Sequence, residues 1–235
     1  MSEFPISPPV LNLDLVPEAE REATWVFGTT LREIAGRVND FKAALDLFDL
    51  SKYLAANNFL NQQYRAWQRI ALRDGAMTIY HFGRSLKEGS GNGLKECPRL
   101  RSLLISEHLH RARRMFSRKF PKAERVRHGA AHSAEITESK ANFDANSFSG
   151  NTDGLGLIQG NASKLLVQNV VSDRHYVTTH QGEIVRYELS AETFGSLGEI
   201  AREFYLAFDD VERFPRRIRN PMTAPRGPSP PANSG

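Results

Sequence analysis

Cysteine is nearly absent from the chain, which has one, Cys97, in 235 residues. A single cysteine excludes an internal disulfide framework and any zinc site built from several cysteine ligands. The folded state must therefore be stabilised by packing. The 40% apolar and 9% aromatic residues suffice to fill a sizeable core.

Long apolar runs are absent as well. No segment approaches the roughly 18 consecutive apolar residues that a membrane-spanning helix requires. The N-terminal sequence MSEFPISPPVLNLDL also lacks the basic and apolar regions of an export signal. We therefore expect a soluble, cytoplasmic protein with no membrane partner.

A strong net charge is absent too, because 31 basic residues face 27 acidic ones. The charges are nevertheless unevenly distributed, since Lys95 to Arg127 contains eleven Lys or Arg against three Glu. Such a concentration favours a phosphate or polyanion partner, although basic helix faces are often only solvated. The residues predicted to bind nucleic acid are Arg111, Arg113, Arg114, Arg118, Lys119, Lys122 and Arg125.

Helical periodicity dominates the first 140 residues. We expect helices over about 18–38, a short one after Asn39, an element capped by Ser51, then helices over 56–87 and about 99–120, and one from Pro121 to about Ile136. The Gly-rich stretch from Lys87 to Pro98 should be a loop.

The second part of the chain changes character. Asn142 to Lys164 is rich in Asn, Ser and Gly, which is typical of loops and turns. The runs KLLVQNVV, RHYVTTH and EIVRYEL predict a small antiparallel meander, and Ser190 can cap a final helix. The expected fold class is α+β, mainly α.

Four parts are expected along the chain. They are an extended N-terminal arm (1–16), a helical bundle (17–140), the β-meander with the C-terminal helix packed on that bundle (141–213), and a disordered Pro/Arg-rich tail (214–235).

The long second helix carries two polar residues on a predicted core stripe. Trp67, Ile70, Asp74, Met77 and His81 keep the spacing of one helix face. A buried carboxylate needs a partner. Asp74 is therefore expected either to pair with an arginine of the helix after Pro121 or to orient a functional residue there, and these roles are compatible.

That later helix carries the sequence VRHGAAH, in which Arg127 and His132 form an R-x4-H pattern. The pattern alone is weak, because arginine is frequent in this chain and chance matches occur. The context is more specific, since the pair follows a proline break and small residues precede His132. A guanidinium and an imidazole together can grip a phosphate and transfer a proton.

His128 and His132 are also spaced as two metal ligands on a helix. Gly129 stands where a zinc peptidase would have its glutamate, which disfavours that chemistry. We expect no metal and no cofactor.

The sequence RHGAAH within a mostly helical chain resembles the R-x4-6-H signature of the HEPN superfamily, over roughly Lys52 to Ile136. The resemblance implies a HEPN-like helical bundle, often a homodimer with the two motifs facing each other. Active members cleave RNA without a metal, using its 2′-OH as nucleophile. Arg127 and His132 would be the catalytic pair, supported by His128, Asp74 and His81, although Asn or Asp is more familiar where His128 stands.

The predicted function is thus a metal-independent endoribonuclease, of a toxin or defence system, with RNA as substrate and an antitoxin or other regulatory protein as a further partner. One alternative is a non-catalytic module that binds nucleic acid or an acidic protein through its basic patch. Another is a structural protein whose histidines lie at a dimer seam. RNA cleavage would distinguish the nuclease from both alternatives. RNA affinity without cleavage would distinguish the binding module from the structural protein.

Overall fold

The structure is a computed structural model that describes residues 6–57, 61–131, 138–152, 161–168 and 170–213. These residues are mainly helical and carry two small antiparallel sheets, which confirms the predicted α+β, mainly α, fold class. Among the described helices, none combines the length and hydropathy needed to cross a bilayer.

The helices are α1 (Glu18–Asn57), α2 (Asn61–Gly89), α3 (Pro98–Leu103), α4 (Ser106–Lys119), α5 (Ala123–Ala131), α6 (Lys140–Asn146) and α7 (Ala191–Leu206). The strands are β1 (Phe148–Asn151), β2 (Asn161–Leu165), β3 (Val170–Ser172), β4 (His175–His180) and β5 (Glu183–Glu188). Three 3₁₀ turns cover Leu13–Leu15, Asn92–Leu94 and Asp209–Val211.

The predicted break near Asn39 is wrong, because α1 continues through it as one 40-residue helix. The apolar periodicity does not stop there: Phe41 and Phe48 are as deeply buried as Leu31. Ser51 is not a cap but an internal residue, whose hydroxyl donates to the Phe48 carbonyl at 2.8 Å. A serine inside a helix can satisfy its hydroxyl in this way without ending the helix.

The predicted core stripe of α2 is also wrong. Ile70 is 59% exposed and Asp74 faces solvent, whereas Leu72, Ile79 and Phe82 are buried. The 3-4 spacing therefore follows the boundary of the buried face, because Met77 packs against the core while Ile70 is exposed. Asp74 and His81 lie at this boundary, with Asp74 exposed and His81 half-buried.

The predicted helix over 99–120 is two helices. Leu104 is extended at ψ 145°, which ends α3, and the Ile105 N–H donates to the Ala207 carbonyl at 3.1 Å. The break before α5 is confirmed, since α4 ends at Lys119 and the turn contains Pro121. The predicted end of that helix near Ile136 lies outside the described residues, as does the 214–235 tail.

The meander is confirmed as a three-stranded sheet in the order β3-β4-β5, but its first predicted run, KLLVQNVV, is divided, because Lys164 and Leu165 belong to β2 and only Val170 and Val171 to β3. Its second turn is Gln181-Gly182, where both residues have positive φ (50° and 73°), a conformation that suits a two-residue hairpin turn. The stretch 142–164, predicted as loop or hairpin turn, contributes to α6 and to a two-stranded antiparallel sheet of β1 and β2. Ser139 caps α6 by accepting from the Asn142 N–H, a short-range signal within a polar segment.

The predicted cap of the last helix is confirmed, because the Ser190 hydroxyl accepts from the Thr193 N–H at 3.2 Å. One apolar cluster contains α1, α2 and α7 residues together with Tyr176, Val185 and Leu189 of the meander region. The sheet therefore shares the core of the helices. Gly75 permits this contact, since a Cβ there would lie 2.6 Å from Leu189 Cδ1.

Candidate functional site

Arg127 lies on α5, which is anchored to the rest of the fold by buried Ala123 and Val126. Arg127 directly follows Val126 and is exposed to solvent. Its guanidinium carbon lies 5.5 Å from the centroid of the Tyr80 ring on α2, the distance of a cation–π contact. Packing of α5 on α2 thus holds the motif arginine over the second helix.

His81, next to Tyr80, is half-buried, and the two rings meet edge-on with centroids 5.1 Å apart. Burial lowers the pKa of His81, and the positive charges of Arg37, Arg84 and Arg127 act in the same direction. The carboxylate of Asp74 opposes them. Because a lowered pKa keeps the imidazole neutral near pH 7, His81 can accept a hydrogen bond or a proton.

Asp74 lies beside the same cluster. Partial burial raises the pKa of this carboxyl, and the negative charge of Asp40 adds to the effect, while Arg37 and His81 counteract it. Arg37 of α1 is therefore the arginine whose charge acts on the pKa of Asp74. The expected pairing of Asp74 with an arginine of α5 is not what the structure shows.

Arginines from three helices thus act on one imidazole through their charges: Arg37 from α1, Arg84 from α2 and Arg127 from α5. Arg37 is paired with Asp40 at 3.1 Å. Neither Arg84 nor Arg127 forms an ion pair with another described residue. Two guanidinium groups that form no ion pair with a described residue thus act on the same imidazole, and guanidinium groups can bind a phosphate through paired N–H donors.

A cleft of about 390 Å³ adjoins this cluster between α2, α4 and α5. Tyr80 and Arg84 belong to its wall, so the cleft opens onto the arginine cluster. Lys87 and Arg113 add positive charge, and Glu88 and Glu124 partly balance it. The lining residues are Tyr80, Gly83, Arg84, Leu86, Lys87, Glu88, Asn92, Arg113, Phe116, Ser117, Ala123 and Glu124.

The seven residues predicted to bind nucleic acid divide into two groups. Arg113, Arg114, Arg118 and Lys119 are exposed on α4 and form no ion pair with a described residue. The other three have acidic partners: Arg111 lies 3.6 Å from Glu203, and Lys122 and Arg125 both contact Glu183. The α4 face is therefore the available part of the basic patch.

His132 lies outside the described residues, and the side chain of His128 is not described either. The predicted convergence of Arg127 and His132 stays a prediction. Sequence reasoning missed Arg37, Tyr80 and Arg84. For Tyr80 and Arg84 a signal existed in YHFGR, where both flank His81 on one helix. Arg37 offered none, because only the packing of α1 on α2 brings it to His81.

Glu183 reaches α5 from the meander, and its Oε2 accepts from Lys122 Nζ at 2.8 Å and from Arg125. Hydrogen bonds from Lys122 and then Arg125 hold the pKa of this carboxyl well below its usual range, at about 2. A depressed carboxyl pKa stabilises the folded state above the ordinary pKa and loses that effect as the pH falls towards the folded value.

Replacing Glu183 by glutamine is therefore expected to lower the melting temperature at pH 7. The difference from wild type should shrink between about pH 5 and about pH 2. Glu188→Gln on the same strand is the matched control, because Glu188 is exposed and forms no ion pair with a described residue. A difference that is independent of pH would contradict the ionic role of Glu183.

Comparison of the chain with protein-family models, with curated proteins and with solved structures gives no match. The function therefore has to be inferred from the residues of the candidate site.

Proposed function

We propose that the chain is a metal-independent endoribonuclease similar to active HEPN proteins, in which Arg127 binds the scissile phosphate and His132 transfers protons. The observation that supports this is the arginine cluster. Arg127, within the motif, lies over the Tyr80 ring next to His81, and its charge, with those of Arg37 and Arg84, lowers the pKa of His81. Positive charge at this point suits the oxygens of a phosphodiester.

In the proposed reaction the 2′-oxygen of RNA forms a bond to phosphorus, and the bond from phosphorus to the 5′-oxygen breaks. The 2′-OH proton passes to a base, and a proton is delivered to the leaving 5′-oxygen. His132 is the candidate for these transfers, since imidazole titrates near neutral pH. Arg127 stabilises the charge that develops on the non-bridging oxygens.

The supporting residues differ in what they can do. His81, being neutral, can accept a hydrogen bond from RNA or from the motif. Asp74 acts on His81 through its charge. His128 takes the polar position next to the motif arginine. A homodimer, an antitoxin or other regulatory protein, and a toxin or defence role belong to the same proposal and rest on the resemblance.

The test is cleavage of labelled single-stranded RNA by the wild-type protein in EDTA, followed by analysis of the product ends. We expect cleavage to persist in EDTA and to leave 2′,3′-cyclic phosphate ends, because the nucleophile belongs to the RNA. Cleavage that requires a divalent cation, or that leaves 3′-hydroxyl ends, would contradict this mechanism.

The second candidate is a non-catalytic nucleic-acid-binding module. The exposed arginines and lysine of α4 favour it, because they are available for phosphate contacts whether or not the motif is active. Absence of cleavage by folded wild-type protein across varied RNAs, together with salt-dependent RNA binding, would select this candidate over the nuclease.

A further inference from the structure

A second groove, of about 500 Å³, lies between the N-terminal arm and the first turns of α1. The arm is held in place by backbone pairing with the segment after α7. The Asn12 N–H donates to the Val211 carbonyl and the Arg213 N–H donates to the Val10 carbonyl, both at 2.8 Å. The groove is therefore bounded by fixed backbone on one side and by a helix on the other.

The helix wall of this groove is formed by Arg21, Trp25, Gly28 and Arg32, which recur at intervals of four, three and four residues on one face. Trp25 is 60% exposed. A large aromatic side chain left in water next to a concave surface is typical of a binding site.

Gly28 supports the same interpretation. Glycine inside a helix costs about 1 kcal/mol relative to alanine, so it needs a reason. Packing does not supply one, because a Cβ at Gly28 would meet only Arg32 Nη1, at an ordinary 3.7 Å. Gly28 lines the groove, so a larger side chain at this position would occupy part of it.

The groove is positively charged. Arg21 and Arg32 are exposed and form no ion pair with a described residue, and Arg213 lies at the opposite wall. Asp14 is the acidic residue of the lining. The combination of a flat aromatic ring with cations on either side suits a ligand with both an aromatic base and phosphates.

We propose that this groove binds a short single-stranded nucleic acid, with one base stacked on Trp25 and flanking phosphates on Arg21 and Arg32. The spacing supports a strand rather than a single phosphate. Eleven helical residues separate the arginines by about 16 Å, which is the length of about five nucleotides in a strand stacked as in DNA, with a rise of about 3.4 Å per nucleotide. Stacking on an aromatic ring with cations along the backbone is how sequence-tolerant single-strand sites work.

Two other occupants fit less well. An acidic peptide would satisfy the arginines but would leave the exposed face of Trp25 without a stacking partner. The chain's own residues 214–235 carry arginines and no acidic residue, so they would be repelled. The groove shares no lining residue with the cleft beside Arg127, and binding there does not depend on cleavage.

Tryptophan fluorescence tests the proposal, because the chain has two Trp residues and Trp67→Phe leaves Trp25 as the sole reporter. The probe is the oligodeoxynucleotide (dT)₅, which lacks the 2′-OH and therefore cannot be cleaved by the proposed nuclease mechanism. We expect saturable quenching in the Trp67→Phe protein and none in Trp25→Phe. Failure of the nuclease proposal would leave this result unchanged.

The double variant Arg21→Gln/Arg32→Gln is expected to weaken (dT)₅ binding by about tenfold or more and to reduce the slope of log K against log salt by about 1.4. Arg65→Gln/Arg69→Gln is the control, because it removes the same charge from exposed positions on α2. If Trp67→Phe does not fold, anisotropy of fluorescein-labelled (dT)₅ with the wild type and both double variants gives the same comparison.

Three results would overturn the proposal. The first is no saturable change with (dT)₅. The second is an equal loss of affinity in the two double variants, which would indicate a general charge effect. The third is displacement of (dT)₅ by pentaglutamate at equal concentration, which would indicate an acidic peptide as the ligand.

Discussion

Replacing Arg127 by glutamine is expected to lower the rate of RNA cleavage in EDTA by about 10²–10³-fold, the usual effect of removing one donor to a developing oxyanion. Arg127 is held over Tyr80 by packing of α5 on α2 and forms no ion pair with a described residue. Among the described residues, no carboxylate competes with a phosphate for its guanidinium. Single-turnover rates with saturating protein measure this effect apart from RNA affinity.

The matched control is Arg125→Gln on the same helix. Its guanidinium is paired with Glu183, so we expect nearly unchanged cleavage. Arg127→Lys keeps the charge but not the paired donors, and should recover only part of the rate. His132→Ala should lower it by about 10²–10⁴-fold, as for loss of a general acid or base. Equal effects at Arg125 and Arg127 would contradict the assignment of Arg127.

Replacing Phe82 by alanine is expected to destabilise the fold by about 3–5 kcal/mol, the usual effect of removing a buried phenyl ring. Phe82 is 0% exposed, and its ring lies 6.0 Å from that of Phe116, centroid to centroid. Deleting it would leave a cavity between α2 and α4. Urea unfolding with a two-state fit measures the change in the free energy of unfolding.

Ile70→Ala on the same helix is the control, because Ile70 is 59% exposed. Its effect should stay within about 0.5 kcal/mol, as for most surface substitutions. The comparison also distinguishes the two faces of α2. A larger loss for Ile70→Ala than for Phe82→Ala would mean that the stripe expected from the sequence is the buried one after all.

Local sequence signals predicted much of the fold. Ser190 and the apolar spacing after it specify α7, Pro121 separates α4 from α5, and Gln181-Gly182 specifies a hairpin turn. Each signal is a short-range stereochemical preference that does not depend on distant residues. The errors at Asn39 and Leu104 arose where local preference is weak and contacts with other elements determine whether a helix continues.

The basic segment and its Arg127 could be read from the sequence by itself, because charge and spacing are properties of the chain. Only the tertiary structure determines which of these basic side chains have an acidic partner. The meander brings Glu183 to Lys122 and Arg125, and the packing of α1 on α2 brings the charge of Arg37 to His81. Electrostatic pairing depends on distance in space, and residues as far apart along the chain as Lys122 and Glu183 become neighbours only when the helices and the sheet pack.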